Sequence, residues 1–222
     1  MTSRGVLYIT WGERAEKVLG RSIESLRRFH PDLPVEVRRL PGESTFLNKV
    51  DMFEFSPFEE TLYLDADTVV LDKLDFAFEK AAAHGLACSI CECPWARRYD
   101  GILGDMVEYN SGVLFFSRKA APVFEHWKKV IKTVGASTRV RQGNQVLVAP
   151  NNDQASFAVA VDETRFVPFV LPCNWNFRPR WMKTFFGPLK IWHDYEDVPP
   201  ALAAWNAQQA QPGVIIDMAA LQ

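Results

Sequence analysis

The segment Leu62-Tyr63-Leu64-Asp65-Ala66-Asp67 places two carboxylates directly after an apolar run of strand length. Residues 61–64 predict a buried strand, and Asp65 falls where that strand ends. Two acidic side chains at the mouth of a buried strand are costly to desolvate unless a positive group joins them. The segment therefore predicts a site for a divalent cation, Mn²⁺ or Mg²⁺, although turns also use Asp freely.

The residues before this segment predict a β-α-β unit. An apolar run at 5–10 has strand length, and a second short strand is predicted at 34–37. Apolar residues at helical spacing separate the two strands, namely Ala15, Val18, Leu19, Ile23 and Leu26. Such a crossover favours parallel strands with helices on the sheet faces, and it places ligand sites beyond the carboxyl ends of the strands.

The residues after the segment continue the α/β pattern. Helices are predicted at 46–55, 76–84, 120–134 and 154–161 and after Pro199, and Gly85 is the expected stop of the second of these. Strands are predicted at 86–93, 109–117 and 166–171. Residues 135–152 read as a polar loop, and the aromatic-rich residues 174–188 read as a loop that shapes a cleft.

Composition limits the classes of partner. The chain has 222 residues, a length that fits one α/β domain, and its net charge of -2 with scattered Lys and Arg offers no surface for nucleic acid. No run of about 18 uncharged apolar residues is present, so we expect no membrane span and a cytoplasmic location. An aromatic content of 13% suggests a ring-lined pocket.

Three of the four cysteines form a cluster, Cys88, Cys91 and Cys93, while Cys173 stands apart. A structural zinc site there needs a fourth ligand from elsewhere. The alternative is a buried strand whose thiols pack as small apolar groups in a reducing compartment.

A phosphatase alternative follows from the same acidic segment. Asp65-Ala66-Asp67-Thr68-Val69 satisfies the pattern of haloacid-dehalogenase-type phosphatases, in which the first Asp is a nucleophile. That pattern usually opens the fold, whereas here it follows an entire β-α-β unit. The later sequence also has no pair of adjacent Asp residues to form a second acidic site.

Short motifs in residues 8–193 occur in the order that characterises one enzyme family. They are Tyr8-Ile9-Thr10, Lys49, the segment from Leu62 to Leu71, Asn110-Ser111-Gly112-Val113, Asn152-Asp153-Gln154, Trp175-Asn176 and Ile191-Trp192-His193. Together they resemble the family 8 glycosyltransferases, the relatives of glycogenin and of lipopolysaccharide galactosyltransferases.

The resemblance implies a single GT-A domain over residues 1–222, which is a Rossmann-like α/β fold with a mostly parallel central sheet flanked by helices. It implies transfer of a hexose from a nucleotide diphosphate sugar, such as a UDP-hexose, to a hydroxyl of a saccharide, lipid-linked glycan or protein. The implied metal ligands are Asp65, Asp67 and His193, and Asp153 and Gln154 are the implied catalytic residues. The implied donor contacts are Thr10, Trp11, Lys49, Asp65, Ala66, Asp67, Asn110 and Ser111.

Retention of the anomeric configuration is also implied, either by same-face attack within an ion pair or through a covalent intermediate.

The chain departs from the family after His193, where residues 194–200 lack the usual phosphate-binding Lys, and at Ala155, where the family has a sugar-binding carboxylate. Arg178, Arg180 or Lys183 is a candidate replacement for that Lys. An inactive nucleotide-sugar-binding relative is therefore a further alternative. Residues 91–105, with Trp95, Arg97 and Arg98, are expected to form a lid or an acceptor wall.

Overall fold

A computed structural model of the protein describes residues 3–91, 105–134, 138–149, 153–207 and 215–221. The chain begins with the predicted β-α-β unit, formed by strand β1 (Arg4–Thr10), helix α1 (Gly12–Phe29) and strand β2 (Val35–Arg39). The predicted third strand is β3 (Glu60–Leu64), and Asp65 follows it directly. Expectations for Cys93, Trp95, Arg97, Arg98 and Asn152 lie outside the described residues.

The central sheet has six strands in the order β2-β1-β3-β6-β5-β9. Its other members are β5 (Leu86–Ile90), β6 (Tyr109–Ser117) and β9 (Phe169–Leu171). Three of the five pairings are parallel, while β6 runs antiparallel to both of its neighbours. The predicted α/β class with a mostly parallel sheet is confirmed.

Helices cover both faces of this sheet because alternate residues of its strands point to opposite sides. The helices after α1 are α2 (Met52–Phe55), α3 (Asp75–His84), α4 (Ala121–Val130), α5 (Gln154–Glu163) and α6 (Pro200–Ala207). From β1, Val6 and Tyr8 pack with α1 and α3, whereas Leu7 and Ile9 pack with α2, α4 and α5. Each fully buried apolar side chain stabilises the fold by about 1.5–3 kcal/mol.

Two of the short antiparallel pairs outside the central sheet pack around a smaller core. Strand β4 (Thr68–Val70) pairs with β11 (Ile191–His193), and β10 (Thr184–Phe186) pairs with β12 (Ile215–Asp217). Phe177, Phe185 and Trp192 are buried in this core together with Leu202 of α6. The pairing of β4 with β11 positions the candidate site, because it places Ile191–His193 beside the strand that directly follows the acidic segment.

The structure corrects the predicted helix at 46–55. Residues Phe46–Asp51 form a 3-10 helix, and only the last turn, α2, is α-helical. The Thr45 hydroxyl accepts a hydrogen bond from the Leu47 backbone N–H, and the Asn48 side chain accepts one from the Thr45 N–H. These two reciprocal hydrogen bonds satisfy backbone N–H groups at the start of the helix, and a short 3-10 helix can be capped in this way.

The predicted loop at 135–152 was also wrong in part, because it contains a hairpin. Strand β7 (Thr138–Gln142) pairs with β8 (Gln145–Ala149) through a two-residue turn. Gly143 begins the turn with φ of 60°, a conformation that glycine adopts without steric cost. Alternation of Arg139, Val140 and Arg141 was the available strand signal.

Smaller corrections concern element ends. Helix α4 stops at Val130, short of the predicted 134, and the Val130 carbonyl then accepts hydrogen bonds from the backbone N–H and the hydroxyl of Thr133 in a turn. The predicted loop at 174–188 includes a 3-10 turn and β10. None of the described helices combines the length and the apolarity that crossing a bilayer requires.

Candidate active site

The acidic segment meets the start of β6 because β3 and β6 are antiparallel. Leu64 at the end of β3 lies opposite Val113, and the backbone N–H of Asp65 donates to the carbonyl of Gly112 at 2.8 Å. The side chains of Asn110 and Ser111 therefore lie beside the carboxylates, although some 45 residues separate them in sequence.

The β4–β11 pair brings the histidine to the same place. His193 lies opposite Thr68 in this pair, and the backbone N–H of Asp194 donates to the carbonyl of Asp67 at 3.0 Å. An imidazole near the end of the chain thus lies next to the second carboxylate of the acidic segment.

Helix α1 holds β4 through buried hydroxyl groups. The Ser25 hydroxyl accepts a hydrogen bond from the Val70 backbone N–H at 2.8 Å. Ser22 hydrogen-bonds Tyr8 of β1 and Thr68 of β4, each at 3.0 Å. The position of the acidic turn is therefore fixed from both the central sheet and the helix.

Asp65, Asp67 and His193 fit one divalent cation. Their ligand atoms all lie within 4.8 Å of one another, and among the described residues they are the one such group of His, Cys, Asp or Glu side chains. His193 Nε2 is 3.4 Å from Asp67 Oδ1 and 3.8 Å from Asp65 Oδ2. Oxygen and imidazole ligands of this kind suit Mn²⁺, and carboxylates also suit Mg²⁺.

The ring orientation of His193 is set by Asn176. His193 Nδ1 lies 2.7 Å from Asn176 Oδ1, and both residues are buried. An amide oxygen only accepts hydrogen bonds, so Nδ1 carries a proton that it donates to Asn176, and this contact turns Nε2 toward the carboxylates. A buried hydrogen-bond partner behind a histidine is a common feature of metal ligands in proteins.

The neighbouring positive groups favour the ionised form of Asp67. Burial alone raises the pKa of this carboxyl, but the His193 ring and the Lys49 ammonium outweigh burial and lower the pKa to about 2. The carboxylate is therefore charged at neutral pH, as a metal ligand must be.

Lys49 is a fully enclosed cation in this cluster, with 1% of its surface exposed. Its ammonium lies 3.0 Å from Asp65 Oδ1 and 3.5 Å from Asp153 Oδ2. Burial lowers the pKa of Lys49, but Asp153 and Asp65 outweigh burial and raise the pKa, so the group remains charged. The Tyr63 hydroxyl also donates to Asp65 at 2.7 Å.

Asp153 does not use its side chain as a helix cap, although it precedes α5. The carboxylate accepts a hydrogen bond from the Ser111 hydroxyl at 2.8 Å and faces Lys49. Burial raises the pKa of Asp153 and the Lys49 ammonium opposes that rise. The Asp153 side chain therefore belongs to the charged cluster around Lys49 and not to the cap of α5.

These residues line one cleft with a volume of about 430 Å³. Its lining includes all of the predicted site residues except Thr10, namely Trp11, Lys49, Asp65, Ala66, Asp67, Asn110, Ser111, Asp153, Gln154 and His193. Thr10 is buried, and its hydroxyl donates to Glu16 at 2.7 Å. Thr10 instead borders a second, open groove that shares Trp11 with the cleft.

Several lining residues were not predicted or were predicted only as alternatives. Of the three candidate cations in residues 174–188, Arg178 lines the cleft, whereas Arg180 and Lys183 do not. Arg14, Phe46 and Tyr195 also line the cleft, together with Ile9, Ala15 and Gly112. No motif identifies Arg14 or Tyr195 in the sequence. Only their positions point to the site, since Arg14 lies in the first turn of α1 directly after β1 and Tyr195 closely follows His193.

Gly112 is enclosed by the metal-binding side chains. A Cβ atom at this position would lie 2.5 Å from both Asp65 Oδ2 and His193 Cε1. Since real Cβ atoms do not approach other atoms so closely, the triad requires glycine here.

None of the three cysteines that the structure describes lines this cleft. Cys88 and Cys91 are buried, Cys173 is exposed, and burial raises the pKa of the Cys88 thiol. Within the ranges that the structure describes, no potential metal-binding group includes a cysteine.

Comparisons with known proteins identify the fold. No protein-family model matches the sequence, and no curated protein matches it. Among solved structures, the galactosyltransferase LgtC in complex with donor and acceptor sugar analogues matches with a TM-score of 0.56, at 16% identity over 92% of each chain.

Two further solved structures agree with this match. Mouse xyloside xylosyltransferase 1 in its apo form has a TM-score of 0.55, at 13% identity over 86% of this chain and 97% of that chain. The glycosyltransferase GlyE of Streptococcus pneumoniae TIGR4 has a TM-score of 0.55, at 13% identity over 99% of this chain and 62% of that chain. The chain therefore has the GT-A glycosyltransferase fold that the resemblance to family 8 implies.

Proposed function

We propose that the protein is a metal-dependent glycosyltransferase that moves a hexose from a nucleotide diphosphate sugar, with UDP as the nucleotide, to an acceptor hydroxyl. One observation carries the proposal: two carboxylates and a histidine Nε2 converge at one point of a cleft in a glycosyltransferase fold. We further propose that the whole chain forms a single domain of this type.

Asp65, Asp67 and His193 would hold Mn²⁺ or Mg²⁺. When bound, such a cation offsets the negative charge that builds up on the departing diphosphate. Asn176 keeps His193 in the tautomer that this role needs. Tyr63 and Lys49 fix the Asp65 carboxylate from two sides, so the site is held in shape before substrate arrives.

The charges of the cleft suit a diphosphate. Its lining contains three carboxylates and three cationic side chains, which are Asp65, Asp67, Asp153, Arg14, Lys49 and Arg178. These six formal charges cancel, so a divalent cation leaves this set of groups positive by two charges. A sugar nucleotide diphosphate carries two negative charges at neutral pH and thus restores neutrality.

We assign Asp153 to the hydroxyls of the transferred sugar and Gln154 to the face of the sugar opposite the leaving group, where it stabilises positive character. One of the similar solved structures is an active-site variant of LgtC in which glutamine is replaced by glutamate, so that enzyme also has an active-site glutamine. Retention follows either from same-face attack, with the leaving diphosphate as proton acceptor, or from a covalent intermediate.

The remaining contacts divide between the two ends of the donor. We assign Asn110 and Ser111, which line the cleft, to the sugar and diphosphate, and Thr10 and Trp11, which border the adjoining groove, to the nucleotide base. Lys49 is already engaged by two carboxylates, so we assign it chiefly to holding Asp65 and Asp153 in place.

The named solved structures are all glycosyltransferases, which favours a transferase over the phosphatase alternative. The decisive assay is release of UDP from a panel of common UDP-sugars by the full chain with Mn²⁺. We expect slow donor hydrolysis without acceptor, faster release with a productive acceptor, and neither in the Asp65→Asn variant. Substitution of the exposed His126, which pairs with Glu163 outside the cleft, is the matched control and should change nothing.

Two results would contradict the proposal in different ways. A phosphatase would release inorganic phosphate from an aryl phosphate with Mg²⁺ and lose this activity on Asp65→Asn. An inactive binding protein would be stabilised thermally by UDP with Mn²⁺ but would release UDP from no donor.

A further inference from the structure

Two exposed residues that no motif predicted, Arg14 and Tyr195, meet at the rim of the cleft. Arg14 belongs to the first turn of α1, and Tyr195 follows β11 by two residues. The guanidinium carbon of Arg14 lies 3.6 Å from the centre of the Tyr195 ring. Both residues line the cleft that contains the metal-binding triad.

Stacking orients the arginine without consuming its hydrogen-bonding groups. A guanidinium contacts an aromatic ring through its flat face, whereas its five N–H donors point outward in its plane. Among the described residues, no carboxylate forms an ion pair with Arg14. Arg14 is therefore a cation held in position at the lining of the cleft, and the paired N–H groups of a guanidinium suit the oxygens of a phosphate.

The segment that carries Tyr195 is also bound to the same face of α1 about two turns further along the helix. Arg21, seven residues after Arg14, donates to the backbone carbonyls of Asp194 and Tyr195 at 2.8 and 3.0 Å and to the Asp197 carboxylate at 2.7 Å. The backbone N–H of Asp194 in turn donates to the carbonyl of Asp67. The Arg14–Tyr195 pair thus has a fixed position relative to the triad.

We propose that Arg14, held by stacking on Tyr195, binds the diphosphate of the donor across the cleft from Asp65, Asp67 and His193. This inference rests on the proposed function, and it assigns the phosphate-binding cation to α1 rather than to residues 174–188. Arg14 is a binding residue, and Tyr195 is a positioning residue that acts through it.

Calorimetric titration with UDP in excess Mn²⁺ tests the assignment. We expect Arg14→Ala to weaken UDP binding about 10–100-fold, because a charge-assisted contact is lost. Tyr195→Phe keeps the ring and should bind UDP within about threefold of the parent, while Tyr195→Ala should weaken binding about 3–10-fold. The double alanine variant should be no weaker than Arg14→Ala alone, since both act through one contact.

Matched controls separate a phosphate contact from other effects. Arg28→Ala removes an exposed arginine of the same helix that pairs with Glu24, and it should leave UDP binding unchanged. Uridine without phosphates should bind the Arg14→Ala variant as it binds the parent, and Mn²⁺ alone should bind both equally.

The possible failures are distinguishable. Parent-like UDP affinity in Arg14→Ala, or an equal loss for uridine and UDP, would overturn the assignment of Arg14 while leaving the proposed function standing. If the parent protein itself does not bind UDP with Mn²⁺, the proposed function fails and this inference fails with it.

Discussion

The side-chain oxygen of Asn176 lies 2.7 Å from Nδ1 of His193, and this buried contact determines which nitrogen of the ring faces Asp67. In Asn176→Leu the acceptor is replaced by an apolar group of similar size, so the ring loses its fixed tautomer. We expect Mn²⁺ affinity to fall about 10–100-fold, measured by electron paramagnetic resonance titration. Asn176→Asp keeps an acceptor and should bind Mn²⁺ at least as well as the parent. Unchanged affinity in the leucine variant would remove Asn176 from the account.

Gly112 offers a steric test of the triad. In Gly112→Ala the added methyl group displaces Asp65 and His193, so we expect loss of Mn²⁺ binding and destabilisation by about 1–3 kcal/mol. The control is Gly20→Ala in α1, where a Cβ meets no atom within 4 Å. That change should leave Mn²⁺ binding intact and stabilise the protein by about 0.5–1 kcal/mol. Urea unfolding and Mn²⁺ titration together check both; normal metal binding in Gly112→Ala would contradict the geometry.

Lys49 lies between the partly buried Asp65 carboxylate and the buried Asp153 carboxylate, so its removal should be costly. In metal-free buffer we expect Lys49→Met to lower the free energy of unfolding by about 3–5 kcal/mol, because Asp65 and Asp153 then face each other without a cation. Adding Mn²⁺ should recover part of the loss. Lys128→Met, which breaks surface pairs with Asp51 and Glu54, should cost at most about 1 kcal/mol. Equal effects of the two substitutions in urea unfolding would show that Lys49 has no special role.

The lowered pKa of Asp67 predicts a loss of stability in acid. Because the folded-state pKa is about 2 against an ordinary value of 3.8, the ionised carboxylate stabilises the fold above about pH 4. That contribution, roughly 2 kcal/mol, should disappear as the pH falls from about 4 to 2. Asp67→Asn should lack this part of the pH dependence. Parallel urea unfolding of both proteins in EDTA measures the difference, and identical pH profiles would refute it.

The main architecture could be predicted from the sequence because the signals for it are local. Apolar runs of strand length predicted β1, β2 and β3 to within about two residues, and the helical stripe located α1 without its first and last turns. The acidic segment was placed at a strand end by the same reasoning. The prediction of one helix at 46–55 was wrong because residues Phe46–Asp51 adopt the tighter 3-10 form, which is common at helix ends and which apolar spacing over so few residues does not distinguish from an α-helix.

The sequence predicted site residues only where those residues belong to short motifs. Motif resemblance selected Asp65, Asp67 and His193, which the structure places within reach of one cation. Neither Arg14 nor Tyr195 could be found this way, since their contact joins the first helix to a segment some 180 residues later. Long-range contacts of this kind depend on strand pairing, here β4 with β11, which composition and periodicity do not reveal.

The central claim is that one divalent cation is bound by Asp65, Asp67 and His193 together with a diphosphate. The most direct measurement is anomalous diffraction at the manganese edge from crystals grown with Mn²⁺ and UDP. The account predicts a peak about 2.0–2.3 Å from an oxygen of each carboxylate and from His193 Nε2. An empty site at full UDP occupancy, or a cation bound elsewhere with His193 turned away, would contradict it.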